Sequence, residues 1–167
     1  MQNVDFVPGK IMDREKLNRF INSERVKGKT FAFTNGCFDI LHEGHIYSLS
    51  AAAREANFLI VGLNSDSSVK KLKGTARPVH NQHSRALILA SLLIVDAVVV
   101  FEEETPEELL KLIRPDVYIK GGDYTIEQLA GHEIVEGYGG KIIIHPFLNG
   151  FSTTSTVNKI KEAGKDS

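Results

Sequence analysis

One cysteine, Cys37, stands among 167 residues, so no internal disulfide can form and the chain reads as the product of a reducing compartment. It has no apolar run of membrane length and opens on no secretory leader. Together with the lone thiol, these absences give a cytoplasmic location as the expectation and leave no membrane among the partners. Excess charge of one sign is missing too: Lys plus Arg number 20 against 21 Asp plus Glu, a formal net charge of -1. With no interleaving of aromatic and basic residues either, nucleic acid is excluded as a partner, and any cation that binds phosphate must act locally. Internal repeats, low-complexity tracts and linkers are also absent. A chain of this length builds one domain with its own core and is too short for two of ordinary size.

What is present is an alternation of strands and helices. Apolar runs at 30–35, 58–63, 96–101, 116–120 and 141–145 have the length of strands in a parallel sheet covered on both faces. Helices fill the intervals, as right-handed crossovers require. The expected class is α/β: a Rossmann-like, doubly wound, five-stranded parallel sheet with helices on both faces. Residues 13–25 read as an amphipathic helix, with Asp13 as N-cap and Leu17, Phe20 and Ile21 on one face. Residues 1–29 thus form a helical extension packed on the single domain, and 163–167 a frayed tail. A further helix is signalled after Thr105, which can cap, with Pro106 at the first helical position and Glu108 completing a capping box.

The most informative stretch is Thr34 to Tyr47, TNGCFDILHEGHIY. Asn35-Gly36 ends the first strand with turn residues, and 43–55 has helical apolar spacing, so His42 and His45 sit at a strand-to-helix junction. In a doubly wound sheet that junction lies at the carboxyl edge, where unpaired helix N–H groups and a partial positive charge suit a polyanion. Gly36 lets the backbone approach a ligand and Gly44 leaves room beside the histidines. His42 and His45, three apart on one helical turn, can point the same way, two imidazoles facing one phosphate. A zinc-protease pattern would set its histidines four apart with a further ligand following, so no metal ligands are assigned. Cys37 reads as a packed strand-end residue, since nothing beside it in sequence marks an activated thiolate.

Three further segments fall at the same edge. After the second strand come Asn64-Ser65-Asp66, then Lys70, Lys71, Lys73, Gly74 and Arg77-Pro78, read as a loop whose path Gly74 and Pro78 fix. Its cations, Lys73 and Arg77 above all, can meet an acceptor phosphate, and Asp66 can accept from a hydroxyl. Lys120-Gly121-Gly122-Asp123-Tyr124 follows the fourth strand. Its adjacent glycines let a base or ribose rest on the backbone, while Asp123 can accept from an amino or hydroxyl group or cap a helix. Gly150-Phe151-Ser152-Thr153-Thr154-Ser155 opens the last helix and gathers hydroxyls and N–H groups at a positive helix end, a second phosphate clamp beside the histidines.

The histidine segment resembles the signature of the cytidylyltransferase-like nucleotidyltransferase superfamily, Gly-x-Phe-Asp-x-x-His-x-Gly-His, matched at Gly36, Phe38, Asp39, His42, Gly44 and His45. Within it, Leu72-Lys73-Gly74, Arg77-Pro78-Val79, Lys120-Gly121-Gly122-Asp123-Tyr124 and Gly150-x-Ser152-Thr153-Thr154 are similar to the adenylyltransferase half of the bacterial bifunctional heptose-phosphate kinase/adenylyltransferases. The resemblance covers nearly the whole chain. It implies transfer of AMP from ATP to D-glycero-β-D-manno-heptose 1-phosphate, giving pyrophosphate and ADP-heptose for lipopolysaccharide core assembly. The kinase half is absent, so a stand-alone adenylyltransferase is expected, as a homodimer or larger homo-oligomer.

The resemblance also distributes roles. His42 and His45 are the catalytic charge stabilisers. Gly36, Cys37, Phe38, Asp39, Gly44, Lys120, Gly121, Asp123, Ser152, Thr153 and Thr154 surround ATP, whose triphosphate carries Mg²⁺. Asp66, Lys73, Arg77 and Arg85 face the acceptor, with His83 standing where the family commonly has a glutamate two residues before that arginine. Glycerol-3-phosphate cytidylyltransferases share the histidine and Ser-Thr-Thr motifs. They typically carry an arginine where this chain has Phe147, and they lack the Lys-Gly, Arg-Pro and Lys-Gly-Gly-Asp-Tyr set, so they rank second. A nucleotide-binding regulatory module without chemistry is the non-enzymatic alternative, and retention of both histidines stands against it.

Overall fold

The computed structural model describes residues 6–123 and 125–146. Tyr124, the Ser152–Thr154 segment and the 163–167 tail lie outside these residues. In chain order the elements are α1 (Phe6–Gly9), α2 (Arg14–Arg25), β1 (Phe31–Gly36), α3 (Glu43–Ala53), β2 (Phe58–Asn64), α4 (Asp66–Lys73), α5 (Gln82–Ala90), β3 (Ala97–Phe101), α6 (Glu107–Ile113) and β4 (Val117–Gly121). A short 3-10 turn (Ile126–Gln128), α7 (His132–Gly137) and β5 (Lys141–His145) follow.

All five expected strands form, and they run parallel in the order β3-β2-β1-β4-β5. Winding proceeds outward from β1 in one direction and from β4 in the other, so the crevice between β1 and β4 is the position where open α/β sheets bind ligands. Pairing is unequal on the two sides of β1. It pairs with β2 from Phe31↔Phe58 to Gly36↔Leu63, but with β4 only at Ala32↔Val117 and Phe33↔Tyr118. The two central strands part after Phe33, and the crevice begins within the sheet.

Side-chain alternation along the strands divides the core in two. Phe31, Phe33, Ile60, Val99 and Tyr118 pack with Leu17 and Ile21 of α2 and Leu109, Leu110 and Ile113 of α6. Ala32, Leu59, Val61, Val98 and Ile119 pack on the other face with Leu49 and Ala52 of α3 and Ala86, Leu89 and Ala90 of α5. Each large apolar side chain buried in this way contributes about 1.5–3 kcal/mol. Asp13 caps α2 as expected, accepting from Lys16 N. The extension does more than pack. Val98 N donates to Lys10 O and Met12 N to Val98 O, each at 2.9 Å, which covers an otherwise open edge of β3.

Two local expectations need correction. The stretch after β2, read as a loop, is helical from Asp66 to Lys73. Ser65 accepts from Ser68 N as its cap, Asp66 leads, three lysines fill the last turn, and Gly74 ends it at φ +91°. Those are standard start and stop chemistry, and buried Val69 anchors the helix. Conversely, α6 starts at Glu107 with Pro106 as its cap and no side-chain capping bond, so the Thr105 box does not form. Leu110 N reaches the Pro106 carbonyl instead, at 2.9 Å.

Candidate active site in the β1–β4 crevice

Beyond Gly36 the chain turns sharply into α3. Phe38 adopts a left-handed backbone conformation, φ +43°, which swings its ring back over β1. A Cβ on Gly36 would lie 3.1 Å from that ring, so any larger residue would press the ring outward by a few tenths of an ångström. The Phe38 ring packs on His45, centroids 5.3 Å apart, and the His45 ring stacks on His42 at 3.8 Å and 25°. His42 is the N-cap residue of α3, with extended backbone, and its side chain makes no capping bond. The Nδ1 atoms of both rings are buried without a protein partner.

Burial lowers the His45 pKa to about 4, with His42 and then Lys73 adding to the effect. His42 is lowered by burial and then by Lys73. Both rings are therefore neutral near pH 7, each with one N–H and one lone pair. A polyanion arriving at this helix end would favour the protonated form and raise both pKa values. Lys73, the last residue of α4, thus lies close enough to act on the histidine pair.

Asp39 is buried, and its carboxylate is engaged by the loop that follows α4. Arg77 Nε donates to Oδ2 at 2.5 Å, while the amides of Val79 and His80 donate to Oδ1 at 2.7 and 3.2 Å. Asp39 thereby fastens the 77–80 loop to the histidine motif, and the two terminal nitrogens of Arg77 lie outside that bond. Arg85, 1% exposed, is a second fastening point. Its Nε donates to His80 O at 2.9 Å, Nη1 to Cys37 O at 2.6 Å and Asn64 O at 2.9 Å, and Nη2 to Asp66 Oδ1 at 2.7 Å. One guanidinium holds the ends of β1 and β2 and the head of α4 together. Asp66 and Arg85, both expected to face the acceptor, face each other here.

On the β4 side, Lys120 Nζ donates to Asn35 O at 2.8 Å and Asn35 Oδ1 at 3.0 Å, and Tyr118 OH donates to the same Oδ1 at 3.0 Å. Burial pushes the Lys120 ammonium down to about 8, partly opposed by Cys37. Gly121 lies opposite His145 on β5, Gly122 N donates to His145 O at 2.9 Å, and Asp123 is exposed. Gly44 sits half-buried in the first turn of α3. The crevice therefore gathers the histidine motif from β1, Lys73 and the Arg77 loop from beyond β2, and Lys120 and Gly121 from β4.

Sequence reasoning took Asn35 only as a turn residue and passed over His145, whose Nε2 is buried without a protein partner. Their signal was position at a strand end on the carboxyl edge. Among the described residues no group of three or more His, Cys, Asp or Glu side chains could hold a metal ion, and no helix is long and apolar enough to cross a membrane.

A doubly wound sheet with stacked imidazoles and a helix N-terminus opening on its switch-point crevice defines a nucleotidyltransferase domain. The comparison with protein families agrees: a family model described as Cytidylyltransferase-like matches residues 33–160, and the chain belongs to that family. Curated relatives include the bifunctional protein HldE of Caulobacter vibrioides, 50% identical over 151 residues, which are 90% of this chain and 31% of that protein. The bifunctional protein HldE of Rhodopseudomonas palustris (strain HaA2) is 55% identical over 138 residues, 83% of this chain and 28% of that protein. The chain thus spans less than a third of the length of these two relatives.

Two solved structures share the fold. A lipopolysaccharide core biosynthesis protein from Thermoplasma volcanium has a TM-score of 0.59 at 23% identity, covering 72% of this chain and 98% of that one. Pantoate-beta-alanine ligase from Francisella tularensis, complexed with beta-gamma ATP and beta-alanine, has a TM-score of 0.61 at 20% identity, covering 91% and 77%.

Proposed function

We propose that this domain is an adenylyltransferase that moves AMP from ATP to D-glycero-β-D-manno-heptose 1-phosphate, releasing pyrophosphate and forming ADP-heptose. The observation that carries this reading is the stacked His42–His45 pair at the head of α3, facing the β1–β4 crevice. The close HldE relatives support the choice of substrates, as do the Lys73-Gly74, Arg77-Pro78 and Lys120-Gly121-Gly122-Asp123 motifs.

An oxygen of the sugar 1-phosphate attacks the α-phosphorus of ATP in line. The new P–O bond forms as the bond to the bridging oxygen of the β-phosphate breaks, and pyrophosphate leaves with that electron pair. The configuration inverts and no covalent enzyme intermediate forms. His42 and His45 start neutral and donate N–H groups to the α-phosphoryl oxygens and the leaving group. The same anionic charge draws their pKa values upward, so their stabilisation grows as charge develops. N–H groups at the head of α3 act in the same direction. Lys73 and the terminal nitrogens of Arg77 hold the acceptor phosphate, and placement of the two reactants supplies much of the rate.

Asp39 and Asp66 are paired with arginines, so a Mg²⁺ ion would be held through the triphosphate rather than by these carboxylates. When bound, the ion would neutralise phosphate charge.

A pyrophosphate-release screen of ATP and CTP against heptose 1-phosphate and glycerol 3-phosphate tests donor and acceptor together. Release is expected with ATP and heptose 1-phosphate. Release only with CTP and glycerol 3-phosphate would replace this reading with the cytidylyltransferase one. Binding of a non-hydrolysable ATP analogue with no release for any acceptor would point to a regulatory module.

A further inference from the structure

Where β1 and β4 stop pairing, a side-chain bridge takes over. The ladder between them ends at Phe33↔Tyr118, and immediately beyond it Lys120 donates twice to Asn35, at 2.8 Å to the main-chain oxygen and at 3.0 Å to Oδ1. Tyr118 OH donates to that same Oδ1 at 3.0 Å. Alternation along the strands places Asn35 and Lys120 on the sheet face of Phe33 and Tyr118, which α2 and α6 cover, whereas α3 and its histidines belong to the opposite face. The bridge spans the crevice behind the histidine pair.

We propose that the Lys120–Asn35 bridge is a positioning device that sets the width of the nucleotide crevice, so that Lys120 acts on ATP through Asn35 and the end of β1 rather than as a direct ligand. This rests on the adenylyltransferase reading for the identity of the nucleotide, while the bridge itself is a feature of the fold. Two geometric facts support it. Both donated bonds go to a single residue, so a Lys120 ammonium that turned to a phosphate would release two bonds that tie the end of β4 to the end of β1. The acceptor Oδ1 is shared with Tyr118, which fixes the Asn35 side chain from a second point on the same strand as Lys120. The depressed pKa of Lys120, about 8, is what a desolvated ammonium held in a wall would show.

Calorimetric titration with a non-hydrolysable ATP analogue tests the bridge without needing turnover. Lys120→Met and Asn35→Ala should each weaken binding about tenfold, the scale of one lost charge-assisted hydrogen bond. The double variant should bind within about twofold of either single, because both changes remove the same bridge. In steady-state assays the KM for ATP should rise in parallel while kcat stays within about threefold. Asn35→Asp keeps an acceptor for both Lys120 and Tyr118 and should restore near-normal affinity. If Asn35→Ala does not fold, Asn35→Asp against Lys120→Gln makes the same comparison, with only the second weakened.

Wild-type affinity in Asn35→Ala beside weak binding in Lys120→Met would make Lys120 a direct ligand and overturn the proposal. So would effects that multiply in the double variant, or a failed rescue by Asn35→Asp in a folded protein. Failure of the unaltered protein to bind the analogue would overturn the adenylyltransferase reading along with the bridge's role, whereas normal binding that ignores Asn35 overturns only the latter.

Discussion

Arg85 and Asp66 face each other beside the ends of β1 and β2, Nη2 to Oδ1 at 2.7 Å, and the other donors of the same guanidinium hold the carbonyls of Cys37, Asn64 and His80. The arginine is a fastening for three segments. Arg85→Lys should therefore act on stability: a single ammonium cannot replace the fork, and buried acceptors lose their donors. A cost of about 1–3 kcal/mol per stranded buried acceptor is expected, which lowers Tm by several degrees, roughly 2–4 °C per kcal/mol in a domain of this size. Thermal unfolding measures it. An unchanged Tm would return Arg85 to the acceptor site.

Asp39→Asn should loosen the 77–80 loop, because it removes the negative charge that holds Arg77 Nε. Since the terminal nitrogens of Arg77 are assigned to the acceptor phosphate, the KM for the sugar phosphate should rise roughly tenfold while that for ATP changes less. Arg77→Lys should behave similarly, recovering only part of the loss seen in Arg77→Ala. Kinetics with each substrate varied separates the two effects, and a defect confined to ATP would contradict the assignment.

Lys73 lowers the pKa of both histidines in the free protein. Lys73→Ala should consequently raise the titration midpoints of His42 and His45, as followed by NMR of the imidazole protons. Midpoints unchanged from the parent protein would show that Lys73 does not face the pair.

The low pKa of His45 also predicts an acid limb in stability. Its usual value is 6.5 and its folded value about 4, so between these the unfolded chain binds more protons than the folded one. The contribution is complete above pH 6.5 and is lost as pH falls toward 4. Tm should decline over that window less steeply in His45→Gln. Near pH 6, binding of a triphosphate should take up protons, seen as a buffer-dependent calorimetric enthalpy. Proton release on binding would contradict the neutral resting state.

The strands were legible because a parallel sheet buried on both faces leaves continuous apolar runs such as FLIVGL and AVVVF. The histidine motif was legible as a segment in its own right, and the strand ends placed it at the carboxyl edge. The helix at Asp66–Lys73 was missed because its polar, lysine-rich composition suggested a loop, although Ser65 and Gly74 carried the cap chemistry. The partners of Asn35 and Arg85 were not legible. Lys120 is 85 residues from Asn35, and Cys37 is 48 from Arg85. Their meeting depends on β4 lying beside β1 and on where α5 docks, neither of which a local pattern encodes.

In the proposed reaction a stacked, neutral histidine pair stabilises transfer of AMP from ATP to a sugar 1-phosphate. Single-turnover formation of ADP-heptose from ATP and heptose 1-phosphate by the parent protein, His42→Ala and His45→Ala tests it most directly. Each variant should fold normally and lose on the order of a hundredfold in rate, the scale of removing one preorganised transition-state donor. Near-parental rates in both variants would contradict the account.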